Sequence, residues 1–136
     1  NGDFLYQRAL NKTQALADIE QQSGIKPEEI CFVFDDAPDL NIAREVGLRF
    51  GVGRMANPLF LEYLLENNLV DYITSAQGNE HAVRETCELL LGLLGNYAEV
   101  LENISVRSLD YLNYRSEVQK IALKSYRWDG ESFQVH

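Results

Sequence analysis

Three carboxylates fall within five residues at Asp35-Asp36-Ala37-Pro38-Asp39, directly after the apolar run Ile30-Cys31-Phe32-Val33-Phe34. A run of that length and character reads as a strand buried in a parallel sheet. Ligands of such sheets bind at the carboxyl ends of the strands, where these acids stand. Like charges packed so closely repel one another, and something positive must offset them. A hard divalent cation such as Mg²⁺ does so, since it takes oxygen ligands and keeps waters for a phosphate-bearing substrate. A single Asp would be enough to cap the helix that follows. Three make Asp35, Asp36 and Asp39 a candidate metal and catalytic cluster.

Lys12 is the second chemical element. It stands in the first turn of a helix, where the helix dipole disfavours a cation. One helix and one buried strand separate it from the acids, so its ammonium can return to them. Two arginines join the set. Arg54 follows a second strand at the same sheet end, and its plain reading is a solvated loop side chain. Arg84 opens a later helix, where it can meet an anion bidentately or pair with Glu80 or Glu88 at helical spacing.

Elements of the right kind exist to position these groups. Phe4 to Leu10 is a strand or extended lead-in. Asn11 caps a helix reaching about Gln22, with Leu16, Ala17 and Ile19 on its apolar face and Gly24 as the left-handed stop. After the buried strand come a helix from about Pro38 to Val46 and a strand over Leu48–Gly53. A helix opened by Asn57-Pro58 follows, then a short strand at Tyr72–Thr74 and a helix from about Glu80 to Leu94. Alternating helices and strands with short connections predict an α/β domain whose mostly parallel sheet has helices on both faces. Residues 97–125 form one or two amphipathic helices with Val100, Leu101, Ile104, Leu109, Leu112, Val118 and Ile121 facing inward. Asp129-Gly130 between aromatic runs marks a terminal hairpin. The domain reading is therefore 1–96 for the α/β unit and 97–136 for a helical extension.

The chain has 136 residues, 46% hydrophobic and 24% charged, as one globular domain would. Twelve Lys and Arg stand against 21 Asp and Glu, a net charge of -9, which argues against nucleic acid as a partner. No apolar run is long enough to span a bilayer. Cys31 and Cys87 sit in apolar contexts without metal-ligand spacing, which predicts buried thiols in a reducing, cytoplasmic protein.

Taken together, Lys12 with Ala15-Leu16, then Gly24-Ile25-Lys26-Pro27-Glu28-Glu29-Ile30, then Phe34-Asp35-Asp36-Ala37-Pro38-Asp39-Leu40 resemble motifs III and IV of haloacid dehalogenase-superfamily phosphatases. Val46-Gly47-Leu48, Asn57-Pro58, Asp71-Tyr72-Ile73-Thr74 and Ala82-Val83-Arg84-Glu85 extend the resemblance to about residues 6–95, and to the capless branch of that superfamily. It implies a Rossmann-like fold, a Mg²⁺ cofactor, a small phosphorylated metabolite as substrate, and a homo-oligomer. By the same resemblance Asp35 and Asp36 serve the metal, Asp39 supports Lys12, and Lys12 neutralises the transferring phosphoryl group. Arg54 and Arg84, from their positions alone, are the candidate substrate contacts, with a salt bridge the slightly favoured reading of Arg84.

The family's nucleophile lies in an Asp-x-Asp pair, and none occurs in these 136 residues. Two expectations follow. Either the chain is the C-terminal half of a longer phosphatase, which its start at Asn1 favours, or it is a non-catalytic relative that binds or assembles. Two departures bear on the pocket: Phe34 places bulk beside the metal position and is expected to narrow it, and Gly78-Asn79-Glu80-His81 replaces a glycine-rich segment.

Overall fold

The computed structural model describes residues 3–9, 11–54 and 57–136; Leu10 of the lead-in and Met55 and Ala56 of the Arg54 loop lie outside them. The chain divides into two compact units. One runs from Asn11 to Leu90, and the other joins the N-terminal strand to everything from Leu91 onward.

The N-terminal strand is β1, Phe4–Gln7. The first unit then opens with α1, Lys12–Ser23, capped by the Asn11 side chain, which accepts from the Thr13 amide. Gly24 at φ 74° closes it in the left-handed conformation that glycine adopts without a Cβ penalty. Ala15 and Leu16 are its buried residues, whereas Ala17, expected on the apolar face, is exposed. It lies about 100° round the helix from Leu16, past the edge of the stripe.

A 3₁₀ turn at Pro27–Glu29 leads into β2, Cys31–Phe34. A second 3₁₀ turn, Ala37–Asp39, runs into α2, Leu40–Ala43, which is shorter than the span to Val46 that the sequence suggests. β3 is Leu48–Gly51, α3 is Pro58–Glu66, β4 is Tyr72–Ile73, and α4 is Ala82–Leu93. The three strands form a parallel sheet in the order β2-β3-β4. Phe34 stands opposite Gly51, and Gly51 opposite Ile73. All three strands therefore discharge their loops at one end of the sheet, as the α/β reading requires.

Phe34, Ala43, Leu64, Leu69 and Val70 make one buried cluster, and Leu16, Ile42 and Val46 a second. Phe34 is thus a core residue, and the expectation that it narrows the pocket is corrected: its ring points into the apolar cluster. Two glycines permit close backbone approaches. A Cβ on Gly47 would lie 1.9 Å from the Glu28 carbonyl oxygen, and one on Gly53 2.2 Å from that of Thr74.

Both cysteines are exposed, contrary to the sequence reading. β2 is the outer strand of its sheet among the described residues, so its first residue lacks cover on one side. Cys87 follows the buried Thr86 on α4 and turns away from the core.

In the second unit, β1 pairs in parallel with β5, Lys124–Trp128, and β5 pairs antiparallel with β6, Phe133–Val135. The hairpin forms as expected: Gly130 adopts φ 120°, and an Asp129 carboxylate oxygen accepts from the Glu131 and Ser132 amides. Rings tie the sheet together, with Tyr6–Tyr126 centroids at 5.2 Å and Tyr6–Phe133 at 4.9 Å. Two helices precede the hairpin, α5 at Tyr97–Ser105 and α6 at Leu109–Lys120. Leu101, Ile104, Leu109, Leu112 and Ile121 are exposed rather than inward. A pair of short helices covers only the stripe where the two meet, which leaves the other apolar positions in water. No helix among the described residues is long and apolar enough to cross a membrane.

Candidate functional site

The parallel register brings the end of β2, the loop after β3 and the loop after β4 to one edge of the sheet. Asp35 leaves β2 there, and its carboxylate pairs with the Arg54 guanidinium from the loop after β3. Asp36 is exposed and caps the 3₁₀ turn, accepting from the Ala37 amide at 2.7 Å. Asp39, at the end of that turn, is nearly enclosed; its side chain is 8% exposed. Lys12 returns from the start of α1 to pair with it, its own side chain 44% exposed.

The acidic cluster is therefore offset within the chain. Arg54 answers Asp35 and Lys12 answers Asp39, while Asp36 holds a helical start. Lys12 was expected to share the offset with a metal, and Arg54 adds a second ion pair to it. Among the described residues, no group of three or more His, Cys, Asp or Glu side chains gathers as metal ligands. Asp35 and Asp36 nevertheless keep one carboxylate oxygen each beyond the bonds named. Hard oxygen donors at a strand end fit part of a magnesium coordination set, the remainder of which waters and a phosphate ordinarily fill.

Asp35 and Arg54 line a cavity of about 550 Å³ with Gln77, Gly78 and Asn79 from the loop after β4. Arg84 is not among the residues lining it. Its side chain is 73% exposed and faces Glu88 one turn on, at 3.8 Å. Arg54, read as loop-solvated or anion-binding, meets the strand-end carboxylate.

What holds these loops is a set of polar contacts that spacing alone did not single out. The Gly53 amide donates to the Thr74 hydroxyl at 3.0 Å, and that hydroxyl donates to the Ala76 carbonyl at 2.7 Å. Glu85, in the first turn of α4, accepts from the Tyr72 hydroxyl at 2.6 Å and from the Ser75 and Ala76 amides at 2.8 Å each. These donors, the phenol first, hold the Glu85 carboxyl below its usual range, and the carboxylate raises the Tyr72 phenol. His81, between this loop and α4, has φ 71°. A side chain in that conformation is strained, as a glycine would not be. Farther along the sheet, Arg49 grips Asp71 with two guanidinium nitrogens and holds its carboxyl low.

No family model matches the chain. The 3-deoxy-D-manno-octulosonate 8-phosphate phosphatase of Escherichia coli K12 is 37% identical over 95 residues, which is 70% of this chain and 47% of that protein. The protein of the same name from Yersinia pestis is 32% identical over 87 residues, 64% of this chain and 43% of that one. A crystal structure of the Moraxella catarrhalis phosphatase, in complex with a magnesium ion, a phosphate ion and a KDO molecule, matches with a TM-score of 0.55 at 30% identity. It covers 69% of this chain and 50% of that one. The cobalt-bound form of the Haemophilus influenzae phosphatase matches with a TM-score of 0.54 at 28% identity, covering 65% and 47%. The chain spans about half the length of the curated relatives it matches.

Proposed function

We propose that this chain, whose homologues are the 3-deoxy-D-manno-octulosonate 8-phosphate phosphatases of the haloacid dehalogenase superfamily, supplies the metal- and lysine-bearing half of a phosphomonoester hydrolase site. Its substrate is a small phosphorylated metabolite of the sugar-phosphate kind, handled in the cytoplasm. The observation that carries this reading is the Lys12–Asp39 ion pair, which brings an ammonium from α1 back to the strand end that bears Asp35.

Each residue has a physical task. Asp39 holds Lys12 in place. The outer side of the ammonium stays in reach of solvent and can neutralise charge spread over phosphoryl oxygens. Asp35 and Asp36 are the residues that would hold Mg²⁺, which when bound supplies further neutralisation of the phosphate. Arg54 is poised beside Asp35 to exchange a carboxylate for a phosphate oxygen, since both accept its planar fork. Arg84 offers a more distant charge to the substrate. The nucleophilic carboxylate must come from an Asp-x-Asp segment outside these 136 residues.

The test is a thermal-shift titration with magnesium and inorganic phosphate. A ligand that binds only the folded state raises stability with concentration, by about 2.7 kcal/mol at one hundred times its dissociation constant. The wild type should respond and Asp35→Asn should not. No response in the wild type refutes the reading.

A second reading, assembly without catalysis, is favoured by the exposed Leu109 and Leu112 on α6. In that case the chain forms a homo-oligomer through residues 97–136. Light scattering on Leu109→Lys with Leu112→Lys decides it: a monomeric variant of an oligomeric wild type supports assembly through α6, and an unchanged mass rejects it. Substitution is preferable to removing the tail, because β5 pairs with β1.

A further inference from the structure

Glu85 follows Arg84 in the first turn of α4 and does not line the cavity, yet its carboxylate accepts three hydrogen bonds, two of them from loop backbone. One oxygen accepts from the Tyr72 hydroxyl and the Ser75 amide, and the other accepts from the Ala76 amide. These donors sit at the exit of β4, just before Gln77, Gly78 and Asn79, which line the cavity shared with Asp35 and Arg54. The segment beyond them closes as a turn, with the Glu80 amide donating to the Gln77 carbonyl at 2.8 Å. It then passes through His81 at φ 71° before α4 begins. A strained residue persists only where its surroundings hold it.

We infer that Glu85 is a positioning residue for the site: it fixes the loop after β4 so that Gln77 and Asn79 form a set wall opposite Asp35 and Arg54. The inference deepens the functional reading above and rests on it for the identity of the site. Three donors converging on two oxygens need a carboxylate. A glutamine has one acceptor oxygen and turns its amide hydrogens toward at least one backbone N–H, donor against donor. The loop can then be held at one point and not at two. The Ala76 carbonyl, bonded to the Thr74 hydroxyl, and the Gly53 amide, bonded to the same hydroxyl, carry the constraint across to the loop of Arg54. Glu85 thereby acts on both walls of the cavity from a position outside it.

The experiment compares wild type, Glu85→Gln and Tyr72→Phe by amide hydrogen exchange, and by titration with inorganic phosphate in the presence of magnesium. Glu85→Gln should speed exchange by about tenfold, the loss of roughly one hydrogen bond, at whichever of Ser75 and Ala76 faces the new amide group, while Phe50 in β3 and Val52 just past it keep their rates. Tyr72→Phe removes only the phenol contact and should leave both loop amides slow. Phosphate should bind Glu85→Gln several-fold more weakly than Tyr72→Phe. Unchanged exchange at Ser75 and Ala76 overturns the inference, and so does a uniform acceleration through the whole unit, which marks a residue that only stabilises. Phosphate binding that stays at wild-type strength while the loop loosens also overturns it. If the wild type binds no phosphate the functional reading fails, and the exchange rates still decide whether Glu85 fixes the loop. Should Glu85→Gln not fold, Glu85→Asp retracts the charge by one methylene and is read the same way.

Discussion

Replacing Lys12 by Met keeps the aliphatic stem and removes the ammonium, which leaves the Asp39 carboxylate with no cation inside a nearly closed site. Removing one partner of a fully buried ion pair costs about 3–5 kcal/mol, while a fully exposed pair is worth about 0.2–1 kcal/mol. Here the acid is 8% exposed and the amine 44%, so water reaches one partner and barely reaches the other. An intermediate loss of about 2 kcal/mol is expected, a factor of roughly 30 in the folding equilibrium. For a chain of this size that lowers the melting midpoint by about 6–10 °C. The cause is a stranded charge, so Asp39→Asn added to Lys12→Met should recover more than half of the loss, to within about 1 kcal/mol of wild type. Urea denaturation followed by circular dichroism, with all four members of the cycle measured under one condition, gives the numbers. A Lys12→Met protein within about 0.5 kcal/mol of wild type would refute the reasoning, as would a double variant no more stable than Lys12→Met alone.

Three further outcomes are expected. Gly53→Ala places a Cβ 2.2 Å from the Thr74 carbonyl oxygen, where contacts under 3.0 Å essentially never occur, so the ends of β3 and β4 must separate. The overpacking and the strained Gly53–Thr74 bond together should cost about 2–3 kcal/mol, read as a lower urea midpoint, and a neutral substitution would show that the approach is not close. Asp71 titrates below its ordinary range because Arg49 donates to it, so its ion pair stabilises fully above the unfolded value of about 3.9 and is lost as pH falls through the depressed folded value. Asp71→Asn should be less stable than wild type at about pH 7 and lose less on acidification to about pH 3, and parallel pH profiles for the two proteins would contradict the assignment. His81→Gly relieves a left-handed conformation in a non-glycine residue and should raise stability by up to about 1 kcal/mol in thermal melts, with a lowered midpoint as the contrary result.

The local chemistry of the chain was legible without coordinates. Asn11 and Gly24 bound α1 because one supplies a side-chain acceptor and the other tolerates φ 74°. Asp129-Gly130 makes its hairpin because those two residues suit the turn. The alternation of apolar runs and capped helices was enough to set a parallel sheet, and the acid-rich strand end with a lysine one helix earlier pointed to the candidate site, where the Lys12–Asp39 pair forms. These features depend on contacts within a few residues, or on a periodicity that a sequence displays directly.

Pairing across long separations was not legible. Nothing in Phe4–Gln7 says that it lies beside Lys124–Trp128, more than a hundred residues on, because a short apolar strand is compatible with many partners. Exposure also depended on the neighbours. Phe34 turned into the core and Cys31 faced outward, although both belong to one apolar run, because successive strand residues point to opposite faces and only the fold decides which face is covered. The sequence determined which charges stand at the strand end; only the tertiary structure determined that Arg54 takes Asp35, that Lys12 takes Asp39, and that Glu85 accepts from the Ser75 and Ala76 amides after β4. The physical reason is range: caps and turns are settled by the nearest residues, whereas an ion pair is settled by whichever opposite charge the backbone brings within reach.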